Sequence, residues 1–251
     1  MNRCDSGTDS IVWMREDLVP GIVYALGAIF LPQNQKGVLF FMSHKVSRAR
    51  TAAFVGVLGA LSCVLMMFRF PVPFVPGFYE FDIAELPALF AGFYLGPVSG
   101  CAVVFVKIVL KLIFQGTSTA FVGDFSNLIG SMCFVLPAAL IYRRMHTKKG
   151  AKIALVFSTV FVSIVYVFLN AYVMIPLYVE LYGMPLQAMI DMGHAVNPFV
   201  HDVLTLVVFA VFPFNIFKHG VTSIVTYLLY KRVGHALRGM MGMPTEKATT
   251  K

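Results

Sequence analysis

The sequence predicts an all-α integral membrane protein with about six transmembrane helices and both termini in the cytoplasm. Of its 251 residues, 58% are apolar and 13% are charged, whereas an average soluble domain carries about 25% charged residues. Residues 51–68, 125–142 and 153–178 contain no Asp, Glu, Lys or Arg. Each of these segments reaches the roughly 18 residues of a candidate spanning helix. Four or five spans are the alternative to six.

Basic residues form three clusters, and each cluster adjoins an apolar segment. The positive-inside rule gives cytoplasmic loops this pattern. Six crossings place all three clusters on the cytoplasmic side, and they place Glu80, Asp82, Glu180 and Asp191 on the opposite side. The net charge of +8 is therefore attributed to membrane orientation, and nucleic-acid binding is not expected. The clusters are Lys45, Arg48 and Arg50; Arg143, Arg144, Lys148, Lys149 and Lys152; and Lys231, Arg232 and Arg238.

Residues 1–41 are expected to be an N-terminal extension, with translation beginning at Met42. The polar, basic segment after Met42 is typical of a cytoplasmic start before a first helix, whereas the apolar stretch of residues 18–32 is too short to span a bilayer. An interfacial amphipathic segment is the alternative. The membrane domain then covers residues 42–235, and residues 236–251 form a polar tail.

The first helix is predicted over residues 50–68, and an aromatic loop over residues 69–82 follows it. Pro71, Pro73, Pro76 and Gly77 exclude a regular helix from this loop. Its aromatic side chains need a surface to pack on, so a lid over a pocket and an interfacial belt fit equally well.

Five further helices complete the predicted bundle. Four of them cover residues 83–96, 98–114, 122–142 and 152–178, and an external loop of residues 179–197 follows, marked by Gly183, Pro185 and Gly193. The sixth helix is predicted over residues 198–231. It is longer than one perpendicular span, so it is tilted, kinked near Pro213, or begins outside the membrane.

Four polar side chains share one predicted depth in the bundle. Amide and ionisable groups inside spans are costly, so each marks a candidate site. A rise of 1.5 Å per residue places Asn127 and Asn215 about 24 Å, Lys111 about 21 Å and Lys218 about 20 Å from the cytoplasmic ends of their helices. One polar pocket in the outer half of the bilayer would need this coincidence. The alternative is that the amides bond neighbouring helices and the lysines snorkel outward.

The chemistry of this layer favours binding over catalysis. An Asn side chain both donates and accepts, whereas Lys only donates, and the abundant aromatic and Met side chains supply flat walls. A planar, uncharged heteroaromatic ligand fits these groups better than an ion or a phosphate. His194, His201 and Asp202 lack the spacing of zinc hydrolases, and Asp202 is expected to cap a helix. No enzyme activity, metal or cofactor is predicted.

Several segments, in order along the chain, resemble the S components of energy-coupling-factor (ECF) vitamin importers. Residues 81–89 and 96–100 are similar to the second-helix signature of those proteins. Further segments of this chain resemble the riboflavin-specific branch of the family. They are residues 116–119, 122–127, 134–144, 192–198 and 213–218. Val104 and Ile108 depart from the acidic and amide positions expected on the third helix, which clouds the part played by Lys107 and Lys111.

The resemblance implies a six-helix protein of the bacterial plasma membrane that captures riboflavin, or its phosphate FMN, on the extracellular side. It implies that Asn215 and Lys218 contact the flavin, that Asn127 lies nearby, and that Phe78 and Tyr79 close over the ligand. It also implies docking to a membrane T subunit and two ABC-type ATPases. The alternatives to a riboflavin S component are an S component for another vitamin and a non-transport membrane protein.

Small residues spaced by four mark a candidate docking face. Ala52, Gly56 and Ala60 lie along the first helix, and Gly96 and Gly100 begin the third. Such faces allow close helix approach, and the resemblance implies that they meet the T subunit. Internal packing between helices one and three is the alternative.

Overall fold

The computed structural model describes residues 48–241 except residues 74, 78, 182 and 184. The predicted start at Met42 and the end of the predicted tail lie outside these residues. Within them, the chain forms nine helices and two short strands, β1 (Phe70–Pro71) and β2 (Glu80–Phe81). The helices are α1 (Arg48–Met67), α2 (Glu85–Tyr94), α3 (Pro97–Gln115), α4 (Val122–Met145), α5 (Lys148–Leu169), α6 (Ile175–Leu181), α7 (Leu186–Val196), α8 (Val203–Leu206) and α9 (Phe212–Met241).

Two π-helical segments make longer helical runs out of these elements. Asn170–Met174 joins α5 to α6, and Val207–Val211 joins α8 to α9. A π-helical turn holds an extra residue and often occurs at functional sites. The second segment ends two residues before Pro213, the proline near which the sequence predicts a kink because proline lacks the N–H of a regular helical bond.

Among the described residues, five helical runs are long and apolar enough to cross a membrane. They cover residues 48–67, 97–115, 122–145, 148–181 and 203–237. Their outer faces expose large apolar side chains such as Val57, Ile113, Val156 and Leu228. A belt of this kind suits lipid rather than water. The prediction of an all-α membrane protein is confirmed, while the sixth crossing and the side of the termini stay predictions.

The second helix is shorter than predicted. A span was expected over residues 83–96, but α2 has ten residues, eight of them buried. It contacts α1, α3, α4 and α9. Because protein encloses α2, it needs no lipid-facing length, and its rise of about 15 Å is half of a hydrocarbon core of about 30 Å.

A close backbone contact holds α2 against α3. A Cβ atom on Gly100 would lie 2.9 Å from the Cα of Gly92, so residue 100 excludes a larger side chain. The chain reverses between the two helices at Gly96, whose φ of 100° suits glycine.

The prediction of a loop over residues 179–197 is wrong, since most of this segment is the helix α7. Its buried face is Met189, Ile190 and Gly193. A Cβ atom on Gly193 would lie 2.7 Å from Cδ1 of Leu206. Glycine is typical of loops, but Gly193 permits close packing of α7 on α8.

The last helical run begins at Val203 rather than at residue 198. Asp202 caps it: Thr205 N donates to Asp202 Oδ1 over 2.7 Å, and Asp202 N donates to Thr205 Oγ1 over 2.9 Å. These reciprocal bonds form a capping box, which confirms the predicted capping role of Asp202. The run ends at Met241, beyond the predicted end at Lys231.

Candidate ligand-binding site

The aromatic loop after α1 forms a small hairpin that is fastened to α9. Phe70 and Phe81 face each other in the antiparallel register of β1 and β2, and Arg69 pairs with Glu80 over 3.1 Å. The Phe81 ring lies 5.2 Å from the Phe70 ring and 5.4 Å from the Phe217 ring. We refer to this end of the bundle as the hairpin end.

A buried ion pair joins the end of the hairpin to α9. Lys218 Nζ lies 2.7 Å from Asp82 Oδ2, and the two side chains are 9% and 5% exposed. Asp82 Oδ1 accepts a hydrogen bond of 2.9 Å from Ala84 N. The carboxylate is thereby held from both sides at the start of α2.

Asn215 lies three positions before Lys218, on the same face of α9. Its side chain is buried, and Nδ2 donates to Val211 O over 2.8 Å. Val211 is the last residue of the π-helical segment, so this bond lies where the helix changes its pitch. An amide has two N–H groups and an acceptor oxygen, so further hydrogen-bonding capacity remains on Asn215.

Tyr79 links the hairpin to the other π-helical segment. Its hydroxyl donates to Asn170 Oδ1 over 3.2 Å, and its ring lies 5.4 Å from the Phe214 ring. Asn170 Nδ2 donates to Tyr166 O over 2.9 Å. Burial, with a smaller effect of Tyr178, raises the pKa of the Tyr79 phenol well above its ordinary range. The phenol therefore stays protonated and keeps its donor role.

Lys111 joins α3 to the first turn of α4. Its Nζ lies 2.7 Å from Asp124 Oδ1 and donates to Gly116 O over 2.8 Å. Lys111 is buried, so it does not snorkel outward. Asn127 lies one turn after Asp124, is half-buried, and makes no side-chain hydrogen bond to the residues that the structure describes.

A second ionic cluster lies one helical turn deeper. Lys107 Nζ lies 3.2 Å from Glu85 Oε1 and 2.9 Å from Ser131 Oγ, and Ser131 Oγ donates to Glu85 Oε1 over 2.9 Å. All three side chains are at most 1% exposed. They bind α2, α3 and α4 to one another inside the bundle.

His219 lies beside Lys218 and is buried between aromatic rings. The Phe134 ring is 4.5 Å and the Tyr166 ring 5.9 Å from its imidazole. Neither ring nitrogen has a hydrogen-bond partner within the described part of the chain. The imidazole adds polarity beneath the layer of Asn215 and Lys218.

The structure brings some predicted site residues together and leaves others apart. Tyr79, Asn215 and Lys218 gather where the hairpin meets α9. Lys111 pairs with Asp124 at the start of α4, and Asn127 lies one turn further along that helix without a bond to either side chain. Phe78 lies outside the described residues.

The charges of this region balance. Three buried lysines each face one buried carboxylate: Lys107 with Glu85, Lys111 with Asp124, and Lys218 with Asp82. Such pairing removes the large cost of an isolated buried charge. Neutral hydrogen-bonding groups between aromatic rings suit an uncharged, planar ligand.

The sequence predicts no metal site at His194, His201 and Asp202, which lie near α7. The His194 and His201 rings lie 5.2 Å apart, and His194 Nδ1 is 2.9 Å from Val200 O. Among the described residues, no three His, Cys, Asp or Glu side chains cluster as metal ligands would. The prediction that the protein needs no metal stays a prediction.

The sequence of this bundle matches a known transporter family. Residues 50–230 match the family described as "ECF transporter, substrate-specific component". The chain belongs to this family. It is therefore the substrate-specific (S) component of a membrane transporter and not an enzyme, and the predicted resemblance is confirmed.

Individual relatives agree over most of their length. The chain is 32% identical over 184 residues to "Riboflavin transporter RibU" of Staphylococcus aureus (strain TCH60), covering 73% of this chain and 90% of that protein. It is 30% identical over 177 residues to "Riboflavin transporter FmnP" of Bacillus subtilis (strain 168), covering 70% and 87%. A solved structure of the S component of a bacterial ECF transporter matches with a TM-score of 0.59 at 31% identity, covering 76% of this chain and 99% of that one.

The predicted docking residues of this S component divide into two groups. Ala52, Gly56 and Ala60 are exposed on α1, and a Cβ atom on Gly56 would meet nothing within 4 Å. Gly96 is half-buried, whereas Gly100 is buried against Gly92. An open groove of about 420 Å³ runs between the first turns of α1 and α3, far from the hairpin end; it is lined by Arg48, Thr51, Ala52, Val55, Val98, Ser99 and Ala102.

Sequence reasoning missed several buried polar residues of the S component. Asp82, Glu85 and Asp124 are the partners of the three buried lysines. Because a charge inside a span is costly, each lysine at membrane depth indicates a carboxylate nearby. Asn170 lies in the charge-free segment of residues 153–178, and His219 directly follows Lys218 in the last helix. Their amide and imidazole groups were the signal.

Proposed function

We propose that this S component captures riboflavin on the extracellular side of a bacterial plasma membrane for ATP-driven uptake. The observation that carries the proposal is its similarity to two riboflavin transporters over 90% and 87% of their lengths. The buried Asn215 and Lys218 lie on one turn of α9, beside the Phe214 ring that contacts Tyr79, and they support the proposal as the chemistry such a ligand requires.

Each proposed contact follows from the hydrogen-bonding groups of the flavin. The pyrimidine edge of the isoalloxazine alternates carbonyl acceptors with an imide N–H. The free donor and acceptor of Asn215 match the imide, while Lys218 donates to a neighbouring carbonyl. Tyr79 contacts Phe214 next to Asn215, and Asn127 supplies a further amide from α4.

The balance of charge favours riboflavin over FMN. Each buried lysine of the layer already faces a carboxylate, so a phosphate would enter without a free cation to neutralise it. Burying an unpaired charge costs several kcal/mol, on the order of the values measured for ions in proteins. We therefore propose the uncharged flavin as the preferred ligand.

The energy for uptake is proposed to come from partner proteins. A membrane T subunit and two ABC-type ATPases would bind this S component, with the exposed face of Ala52, Gly56 and Ala60 on α1 as the contact. Small side chains at a spacing of four allow the backbone of a partner helix to approach closely.

Titration with riboflavin tests this function directly. The full chain, purified in detergent, should quench the fluorescence of riboflavin at one site per molecule. FMN should bind more weakly, and vitamins without a flavin ring should not raise the melting temperature. A folded protein that binds no riboflavin would defeat the proposal. If another vitamin raised the melting temperature instead, that vitamin would be the ligand.

A further inference from the structure

Lys218 differs from the other two buried lysines in how many acceptors it has. Lys107 Nζ contacts Glu85 and Ser131, and Lys111 Nζ contacts Asp124 and the Gly116 carbonyl. In the described part of the chain, Lys218 Nζ has one acceptor, Asp82 Oδ2.

An ammonium group has three N–H donors. Asp82 uses one donor of Lys218, so two N–H groups of this buried side chain remain for another acceptor. Among the three buried lysines, Lys218 is therefore the one best able to donate to a ligand.

The carboxylate that holds Lys218 is itself fixed. Ala84 N donates to Asp82 Oδ1, which ties the side chain to the start of α2. The preceding residue, Phe81, packs between the rings of Phe70 and Phe217. A lysine has four flexible torsions, and a partner held this firmly limits where its ammonium lies.

We infer that Asp82 is a positioning residue, which holds the Lys218 ammonium so that its remaining N–H groups face a carbonyl acceptor of the bound ligand. Asp82 also balances the charge of that ammonium and does not itself touch the ligand. This inference rests on the proposed function, since the acceptor is taken to be the flavin carbonyl.

The variant Asp82→Asn separates positioning from structure. An amide oxygen at residue 82 still accepts from Ala84 N, so the start of α2 is kept while the charge that orients Lys218 is lost. Glu80→Gln is the matched control, because Glu80 lies two residues away, is 39% exposed and pairs with Arg69 instead.

The experiment is a double-mutant cycle read by riboflavin titration. Asp82→Asn should weaken binding about tenfold, the size of a lost charge-assisted hydrogen bond. In the Lys218→Ala background the same change should weaken binding less than about twofold, because coupled residues are not additive. Glu80→Gln should leave binding unchanged. Relative to the wild type, the absorption band of bound flavin should shift in the same way in Asp82→Asn and in Lys218→Ala.

Two results would overturn the inference. Equal losses in both backgrounds would make Asp82 a structural cap of α2, and tighter binding by Asp82→Asn would make it a competitor of the ligand. Asp82→Glu, which keeps the carboxylate one methylene further out, should lose less than Asp82→Asn and serves if the latter does not fold. A folded wild-type protein without riboflavin binding defeats the proposed function, whereas a failed cycle on a binding protein defeats the role of Asp82 alone.

Discussion

The Lys107 ammonium lies 3.2 Å from the Glu85 carboxylate, and the two side chains are 0% and 1% exposed. Ser131 bonds both of them, so α2, α3 and α4 share one buried ionic cluster. Because α2 is enclosed by other helices, this cluster holds together the centre of the bundle rather than its surface.

The first prediction concerns this ion pair. Lys107→Met should lower the free energy of unfolding by about 3–5 kcal/mol, because it leaves the Glu85 carboxylate buried without a cation. Lys149→Met, at an exposed position, should change it by less than about 0.5 kcal/mol. Denaturant unfolding in detergent measures both variants, and similar small changes would show that the pair contributes little.

The second prediction concerns the packing of α4 on α5. A Cβ atom on Gly130 would lie 1.9 Å from the Tyr166 hydroxyl oxygen and 2.1 Å from its Cζ. Gly130→Ala should therefore destabilise the fold by about 1–3 kcal/mol, as overpacked cores do. Gly56→Ala meets nothing within 4 Å and should be neutral or stabilising. Melting temperatures that fall equally for both variants would contradict this packing.

The third prediction concerns the hydroxyl of Tyr79. Tyr79→Phe removes its bond to Asn170 but keeps the ring beside Phe214, so riboflavin binding should weaken by about 0.5–1.5 kcal/mol. The loss should come mainly from faster release, measured by stopped-flow fluorescence. Tyr172→Phe, at a side chain that is 76% exposed, is the control. An unchanged release rate for Tyr79→Phe would remove Tyr79 from the site.

The fourth prediction concerns the amide of Asn215. Asn215→Ala should weaken riboflavin binding by about 1–3 kcal/mol, because the imide edge of the ligand loses its buried partner. Gln187→Ala removes an amide from the exposed face of α7, where it bonds Asp191, and should leave affinity unchanged. If fluorescence titration gave Asn215→Ala the same riboflavin affinity as the wild type, Asn215 would not contact the ligand.

The fifth prediction concerns the small residues of α1. Gly56→Trp should leave folding and riboflavin binding intact while preventing co-purification with the T subunit, because the indole would hold a partner helix away. Val156→Trp places the same bulk on α5, at a side chain that is 57% exposed, and should not affect assembly. If Gly56→Trp still co-purified with the T subunit, the T subunit would not contact this face of α1.

Apolar length and charge predicted most of the membrane helices correctly. The long runs of α1, α3, α4 and α5 begin and end within a few residues of their predicted bounds, since lipid demands uninterrupted apolar segments and loops collect the charges. The capping role of Asp202 could also be predicted, because a cap depends on residues adjacent in sequence. Helix α7 could not be predicted, because a glycine such as Gly193 occurs both in turns and where two helices pack closely.

The sequence by itself determined that this protein lies in a membrane and which residues are polar at depth. Only the tertiary structure decided how those residues pair. Lys218 meets Asp82 across 136 positions of sequence, and no local pattern specifies a contact between the end of a hairpin and a distant helix. Helix rise estimates depth along each helix, whereas the rotation and neighbours of that helix, which bring a carboxylate to each lysine, follow from the packing of the whole bundle.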